Sequence, residues 1–591
     1  MPGITVIDAP PDEGAVDDAL ESVRFFETYD RTDVIAEPDL HVAFTGYPAY
    51  PVVTVELDGC VVVLEGYLYD VDDLEASLEH VVSMLREGRE DALTEWMLAR
   101  DGDYLILVVD RSEETIWAIN DLFARLPTYR AQIGDTVVLS RELKAIRRFA
   151  RSVGEPLQSD PIGLGQMLMF GYTLGTRTLF ADVSQLPPAS LWKVGASNPQ
   201  ILHEYRFDRH PNADRSIEEN AQVLKELFIE ACRNRARVAD ATVVSLSGGL
   251  DSRSVLAGYT HVDGPVMAAT SMRPDGGKRH EIDVAMQVAH ALDIPWASYV
   301  ADRTPRHRAQ LLDMTQGMND LGRSIGLDFV EQVAAEHGSP MFVTGDGLSI
   351  PDRQARRTVH STDELVEAII TDKQVFSLDD VTSIVDVSRS ALVRSVREQV
   401  ASYPEETLDG KHLHHYFRER SINWLNHGED RTRYHLWSTT PAYAPEFFAE
   451  SMACPPEQKR GTRLSRAFLT ELAPAVVEID YADYGAPISS PAYRMKRFTY
   501  EWLIDHPRLR RRIFPLFKGN GSDGEGIPPT ELVYARENAG ESLPLSMSDI
   551  QRVTWANGGY SSDQRHLLLT VVGAVTYDSE RPAVQPQEVG V

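Results

Sequence analysis

Apolar and polar positions alternate in short runs through the first third of the chain. HVAFTG at 41–46, PVVTVEL at 51–57 and CVVVLEG at 60–66 read as strands, with Asp58-Gly59 as a hairpin signal between the last two. Helical stretches near 71–86 and 90–99 follow. Next come strands DYLILVVD (103–110), TIWAIN (115–120) and DTVVLS (135–140), then a helix near 141–149. Antiparallel neighbours flanked by helices predict a layered α+β unit. The segment around Leu186-Pro187-Pro188 completes it near residue 205.

The pattern changes at Ser216, which forms a capping box with Glu219. Ile217, Leu224, Leu227, Phe228 and Ala231 then recur at helical spacing. The apolar run ATVVSL, a Gly-rich turn and a helix from about Ser252 come next. PVMAATS, HEIDVAMQVAHAL, WASYV and PMFVTG continue the alternation of strand and helix. Such alternation predicts a parallel sheet with helices on both faces and ligands at the carboxyl ends of its strands. From about 355 to 515 the pattern is mainly helical. GNGSDGEG at 519–526 reads as a linker, and the closing SERPAVQPQEVGV as disordered.

Composition narrows the function classes. At 591 residues, 43% hydrophobic and 25% charged, the chain is globular and too long for one ordinary core. No apolar run reaches the roughly 18 residues of a membrane helix. MPGITVIDAPPDEG lacks the basic start and apolar core of a signal peptide, so the expectation is a cytoplasmic protein with no membrane partner. The 89 acidic residues outnumber the 58 basic ones, for a formal net charge of −31, which argues against nucleic-acid binding. The acids are spread along the chain, and only nine of the basic residues are lysine. This is a halophilic-type composition, in which high salt screens self-repulsion; the bland alternative is a merely acidic protein. Cys60, Cys232 and Cys454 form no C-x-x-C pair, which argues against zinc and iron–sulfur sites and for reduced structural thiols.

One string carries chemistry: Ser245-Leu246-Ser247-Gly248-Gly249-Leu250-Asp251-Ser252, directly after an apolar strand and opening a helix. Gly248 and Gly249 allow a tight turn and close approach to an anion. Ser247, Ser252 and the free N–H groups of the helix start can donate to phosphate oxygens. Asp251 is unwelcome beside phosphates unless it binds Mg²⁺. The string lacks the Lys of a Walker loop. The bland reading is an ordinary Gly-rich strand-to-helix turn.

SGGLDS resembles the pyrophosphate loop of ATP pyrophosphatases, and its surroundings resemble asparagine synthetase. Glu281, Ala285 and Val288-Ala289 match that family's E-x-x-x-A-x-x-V-A helix, Thr344-Gly345-Asp346-Gly347 its S-G-E-G loop, and Asp430-Arg431 its D-R element. The first half resembles the family's glutamine-hydrolysing domain. Glu65-Gly66-Tyr67-Leu68-Tyr69 falls where N-G-E-I-Y-N is expected. The stretch from Asp101-Gly102-Asp103-Tyr104 to Asp110 resembles the L-x-G-x-F-A…D strand. Asn120-Asp121 through Leu126-Pro127-Thr128-Tyr129 resembles R-D-x-x-G-x-x-P-L-Y, and Ser140 to Ala145 resembles S-E-x-K-A.

The resemblance implies two domains and a tail, mixing α/β and α+β classes. Residues 1–205 would be a glutaminase-like (Ntn-type) αββα layer domain. Residues 206–515 would be a parallel-sheet ATP pyrophosphatase (adenine nucleotide alpha hydrolase-like) domain with a helical extension, and 516–591 a linker and partly disordered tail. The implied reaction is ATP- and Mg²⁺-dependent adenylation of a small carboxylate, aspartate by default, followed by amide formation with ammonia or an amine. Ser245, Leu246, Ser247, Gly248, Gly249, Asp251, Ser252, Ser271, Thr344 and Gly345 would bind ATP. Asp251 would take the metal, and Asp346 and Glu281 would be the catalytic carboxylates. A homodimer is compatible with the resemblance. A non-catalytic nucleotide-binding homologue and an RNA-thiolating enzyme are the rivals.

Departures from the family matter as much. Met1-Pro2-Gly3-Ile4 stands where Met-Cys-Gly-Ile carries the glutaminase nucleophile, and proline offers none. Glu65 replaces an Asn that serves the oxyanion. The family's G-E-G-x-D-E becomes Gly345-Asp346-Gly347-Leu348-Ser349-Ile350, losing an Asp, with Asp352 nearby. The late R-x-K-x-G-F element has only Asp483-Tyr484-Gly485 as counterpart; Arg494, Lys496 and Arg497 are candidate substitutes for its Lys. Among weaker signals, His412, His414 and His415 read as a surface cluster rather than a metal site. Arg508 to Arg512 read as a basic helix face, and Trp424, Tyr434 and Trp437 as core.

Overall fold

The computed structural model describes residues 2–276, 279–348, 359–372, 374–504 and 561–576. It is a mixed α/β structure with several sheets, one of them parallel. No helix among the described residues is long and apolar enough to cross a membrane.

The first half stacks two six-stranded antiparallel sheets. In one, strand Gly3–Asp8 lies between Leu40–Gly46 and Thr136–Ser140. Strand alternation divides its side chains between two layers. Ile4, Val6 and Val42 share a buried cluster with Val62, Leu64 and Ile106 of the second sheet. Ile7, Ala43 and Val138 pack instead with Val16 and Ile146 of helices Glu13–Ser22 and Leu143–Ser152. Helix Leu74–Arg86 brings Leu78, Val81 and Leu85 to the second sheet's cluster. The order is therefore helix, sheet, sheet, helix. Asp58 (φ 50°) and Gly59 (φ 80°) are both left-handed, as a two-residue turn between Val52–Leu57 and Cys60–Leu68 requires.

The second half centres on five parallel strands in the order Trp296–Val300, Val266–Met272, Thr242–Ser245, Met341–Val343, Ser438–Thr439. From Thr242–Ser245 the chain steps outward twice to one side and then crosses to the other. The switch point therefore lies between Thr242–Ser245 and Met341–Val343, where such sheets open a crevice. Helix Ile217–Arg237 begins with the expected box: the Ser216 hydroxyl accepts from Glu219 N at 3.1 Å, and the Glu219 carboxylate accepts from Ser216 N at 2.7 Å.

Several elements differ from the sequence expectation. Strand Gly3–Asp8 and helix Pro161–Phe170 carry no strong period, the helix being buried on nearly every side, and helix Glu13–Ser22, which buries Ala15, Val16, Ala19 and Leu20, adds a further element. Helix Ser562–Thr576 lies beyond the linker and is also buried; Leu567, Leu568 and Val571 pack with Leu164 and Leu168. His415–Asn426 is a π-helix. The histidine run is not on the surface. His414 and His415 are buried, with Nδ1 of His414 3.0 Å from Glu405 and Nδ1 of His415 3.2 Å from Tyr403 Oη. The Leu413 and Phe417 side chains between and after them belong to the core and draw the run inward. Tyr434 and Trp437 are core residues as expected. Ser349, Ile350, Asp352, the arginines at 508–512 and the 519–526 linker lie outside the described residues.

Candidate active site

Strand Thr242–Ser245 ends in the SGGLDS loop, and helix Leu250–Tyr259 starts from Gly249. The loop holds its own shape. Ser247 N donates to Ser252 Oγ at 3.0 Å, the two hydroxyls lie 3.0 Å apart, and Gly249 N donates to Ser247 Oγ at 3.2 Å. A Cβ on Gly248 would stand 2.5 Å from Ala482 Cβ and 3.1 Å from Glu281 Cα, so only glycine lets the loop nest against those segments. Gly345 is as constrained: its Cβ would lie 2.5 Å from Ser252 N. That contact brings the Thr344-Gly345-Asp346 loop onto the start of helix Leu250–Tyr259.

These loops bound a cleft of about 330 Å³, within the usual size of ligand sites. Ser245, Ser247, Asp251, Ser252, Thr344, Gly345 and Asp346 all line it. Gly248 and Gly249 shape the loop behind them. Leu246 is buried beneath, with its carbonyl accepting from Thr270 Oγ1 at 2.9 Å. Ser271, exposed at the end of its strand, is not in the lining. Glu281 is not either; its backbone backs Gly248.

Besides Phe342 of strand Met341–Val343, the remaining lining comes from segments the sequence reading left out of the site: Gly326, Phe329 and Val330 on helix Ile325–His337, and Gly428, Glu429, Arg431 and Thr432 on helix His427–Thr432. Asp346, Gly428 and Arg431 also border an adjoining chamber of about 160 Å³ with Asn319, Asp320, Arg323 and Trp424. Trp424 there packs between the guanidinium groups of Arg323 (5.0 Å) and Arg420 (4.5 Å). Burial, then the negative charge of Glu429, pushes the Asp346 carboxyl up to about 6, against the opposing pull of Arg125. Burial, then Arg323, lowers Arg431 to about 10. Arg431 Nη1 donates to Asn319 Oδ1 at 3.3 Å, and no carboxylate among the described residues lies within ion-pair distance of it. A half-buried guanidinium out of ion-pair reach of any described acid, though within the pull of Asp346 and Asp320, can seat a carboxylate.

Behind the cleft runs a chain of buried charges that joins the two halves. Thr344 Oγ1 donates to Glu429 Oε1 at 2.7 Å, and the other Glu429 oxygen pairs with Arg125. Arg125 also reaches Asp103 at 3.2 Å and lies over the Tyr443 ring. Arg433 lies 3.6 Å from Asp103, 3.5 Å from Glu429 and 3.5 Å from Asp430. Asp430 pairs with Arg141 at 2.6 Å, and Arg141 with Glu65 at 2.9 Å. The D-R pair therefore splits its roles: Asp430 faces the first half and Arg431 faces the cleft.

That chain ends at the first strand of the first half. Glu65 accepts from Ile4 N at 2.9 Å, from Tyr50 Oη at 2.5 Å and from Arg141. A Cβ on Gly3 would lie 2.6 Å from Arg141 Cγ. Pro2 itself is buried. Ala124, at the glycine position of the R-D-x-x-G-x-x-P-L-Y resemblance, has a φ of 46°. Near the late element, Lys496 Nζ donates to the Tyr484 carbonyl at 2.5 Å, and Arg497 Nη1 donates to Tyr484 Oη at 3.2 Å; neither lines the cleft.

No family model matches the chain, and no curated protein matches it. Solved structures with some likeness include the glutamine phosphoribosylpyrophosphate amidotransferase of B. subtilis complexed with ADP and GMP. Its identity is 11% and its TM-score 0.24, over 58% of this chain and 81% of that one. Another, described as the allosteric regulatory enzyme of purine biosynthesis, is 12% identical with a TM-score of 0.23, over 50% of this chain and 64% of that one. Likeness at these scores carries no argument about fold or activity.

Proposed function

We propose that the chain is an asparagine synthetase-like, ATP-dependent amide-forming ligase, with residues 1–205 as an Ntn-type glutaminase-like scaffold and 206–515 as the synthetase unit. One observation carries the reading: Ser247, Asp251 and Ser252 line the same switch-point cleft as Thr344, Gly345 and Asp346. Serine hydroxyls and the helix N-terminus hold the pyrophosphate end of ATP. Asp251, a hard oxygen donor on the cleft wall, fits Mg²⁺ held by one carboxylate plus substrate phosphates; no group of three or more His, Cys, Asp or Glu among the described residues forms a closed metal cage. The ion supplies charge neutralisation of the leaving pyrophosphate. Arg431 orients the acid, whose oxygen attacks the α-phosphorus as pyrophosphate departs. The amine or ammonia then attacks the acyl carbon, AMP leaves with the bonding electrons, and Asp346 takes the surplus proton. The adjoining chamber gives the acid room beside the nucleotide.

Glu65 supports the scaffold role of the first half: it stands where the resemblance expects an oxyanion Asn, and its carboxylate is taken up by Arg141, Tyr50 Oη and Ile4 N. The test is acid-dependent ATP–pyrophosphate exchange across a panel of carboxylic acids, aspartate included. Asp251→Asn should lower the exchange on the order of 10²-fold or more while leaving the melting temperature unchanged. Absence of exchange with every acid, or full exchange in Asp251→Asn, overturns the reading.

A further inference from the structure

A second recess lies between the sheets of the first half and the π-helix. Its wall is aromatic. Phe123 stacks on Tyr205 with centroids 5.6 Å apart and meets Phe448 at 4.7 Å, and Phe207 stacks on Phe417 at 5.2 Å. Ile201, 51% exposed, belongs to the same lining. The recess has a volume of about 60 Å³ and opens to solvent on one side. The wide turns of His415–Asn426 place Arg418, Ser421, Ile422 and Asn426 on one wall.

Arg418 is the odd group there. Among the described residues no hydrogen bond or ion pair reaches its guanidinium. Its neighbouring acids do not reach it. Glu419 accepts from Gly175 N at 2.5 Å, from Gln399 Nε2 at 2.9 Å and from Tyr403 Oη at 3.1 Å. Glu204, on the recess wall, stays out of ion-pair distance of Arg418; it lies 3.7 Å from His414 Nε2 without a hydrogen bond between them. Burial lowers the Arg418 pKa, and the pull of Glu419 and Glu204 does not make up for it. A half-buried cation with no acid in hydrogen-bond or ion-pair contact, beside an aromatic wall, is costly for the empty protein and complementary to an amphiphilic anion.

We propose that this recess binds a small monocarboxylate with an apolar body, its carboxylate on Arg418 and its body along the Phe123–Tyr205–Phe448 wall. Glu204 lines the same recess and would repel a dianion, which favours a carboxylate over a phosphate ester. The site does not depend on the nucleotide cleft. Tyr443 separates the two: it lines the recess, and its ring carbon Cε2 lies 2.7 Å from where a Cβ on Gly347 would stand.

Calorimetric titration of the full chain tests this with 3-phenylpropionate, its amide and phenyl phosphate. The acid should bind, and the amide and the phosphate should each bind on the order of tenfold more weakly. Arg418→Gln should weaken the acid by a similar factor without lowering the melting temperature, because the lost cation was uncompensated. Ile201→Asp, a change at an exposed position, should weaken it several-fold with the fold intact. Saturating ATP and Asp251→Asn should leave acid binding unchanged, which separates this site from the cleft. No binding of the acid, equal binding of its amide, indifference to both Arg418→Gln and Ile201→Asp, or loss of binding with ATP present overturns the proposal.

Discussion

Replacing Arg141 with methionine removes the central link of the buried charge chain. Arg141 is fully buried between Glu65 at 2.9 Å and Asp430 at 2.6 Å, and both acids are at most 1% exposed. Without it Glu65 keeps Tyr50 Oη and Ile4 N, while Asp430 keeps only Arg433 at 3.5 Å. Removing one partner of a buried pair costs about 3–5 kcal/mol. Proton uptake sets a ceiling, because neutralising a carboxyl of ordinary pKa near 4.3 at pH 7 costs about 3.7 kcal/mol. The expected loss at pH 7 is therefore roughly 3–4 kcal/mol. The sign of its pH dependence follows. In the variant a carboxyl is raised above its unfolded value, so the folded state binds the extra proton and gains stability as pH falls. The gap to wild type should shrink by about 1.4 kcal/mol per pH unit, to roughly 1.5 kcal/mol at pH 5.5. Urea unfolding at about pH 7 and about pH 5.5 reads this through Trp437, whose ring lies 4.8 Å from the Arg433 guanidinium. Glu65→Gln in the Arg141→Met background should restore part of the loss at pH 7. A loss below about 1 kcal/mol, or a gap that stays constant on acidification, refutes the reasoning.

Two further outcomes bear on the cleft and the scaffold. Burial and Glu429 push Asp346 up to about 6, so turnover that needs its carboxylate should rise with pH through a limb near 6, and Glu429→Gln should move that limb down. A limb that survives in Asp346→Asn would assign it to another group. Incubation with glutamine, with or without ATP and an acid, should release no glutamate, since Pro2 offers no nucleophile and the Arg141 side chain packs where a Gly3 side chain would begin. Release above background would reveal a nucleophile elsewhere.

Local signals were legible in the sequence. Asp58-Gly59, the Ser216 box and the SGGLDS turn each specify their geometry within a few residues, and all three form as read. Helix Pro161–Phe170 was not legible, because burial on nearly every side leaves no polar face to mark a period. Strand Gly3–Asp8 hides for a similar reason: both of its faces are covered, so GITVID does not alternate. The cleft shows the same split. Ser245, Ser247, Asp251 and Ser252 lie in one string, whereas Arg431, Glu429 and Gly326 reach the lining only through tertiary packing. The buried arginines were least legible. Arg125, Arg141, Arg235, Arg253 and Arg433 are all under 2% exposed, against the usual place of arginine at the surface. Arg253 donates to the carbonyls of Val476, Ile479 and Asp480, and for two of the others an acid lies far along the chain, 289 residues away for Arg141–Asp430 and 304 for Arg125–Glu429.

Those separations bear on what the first half does without a nucleophile. Its Asp101 takes both terminal nitrogens of Arg235, at 2.9 and 3.1 Å, and Asp103 lies between Arg125 and Arg433. Two carboxylates from the first half thus face arginines of the second, and two arginines, Arg125 and Arg141, face Glu429 and Asp430 in return. The second half alone would hold Arg235, Arg433, Glu429 and Asp430 with half their counter-charges gone, and uncompensated buried charges are what a fold tolerates least. Glu429 also accepts from the Thr344 hydroxyl on the cleft wall. The position of that wall therefore depends on Arg125, a residue more than two hundred positions before it. Charges of the first half thereby bear on the geometry of the cleft in the second.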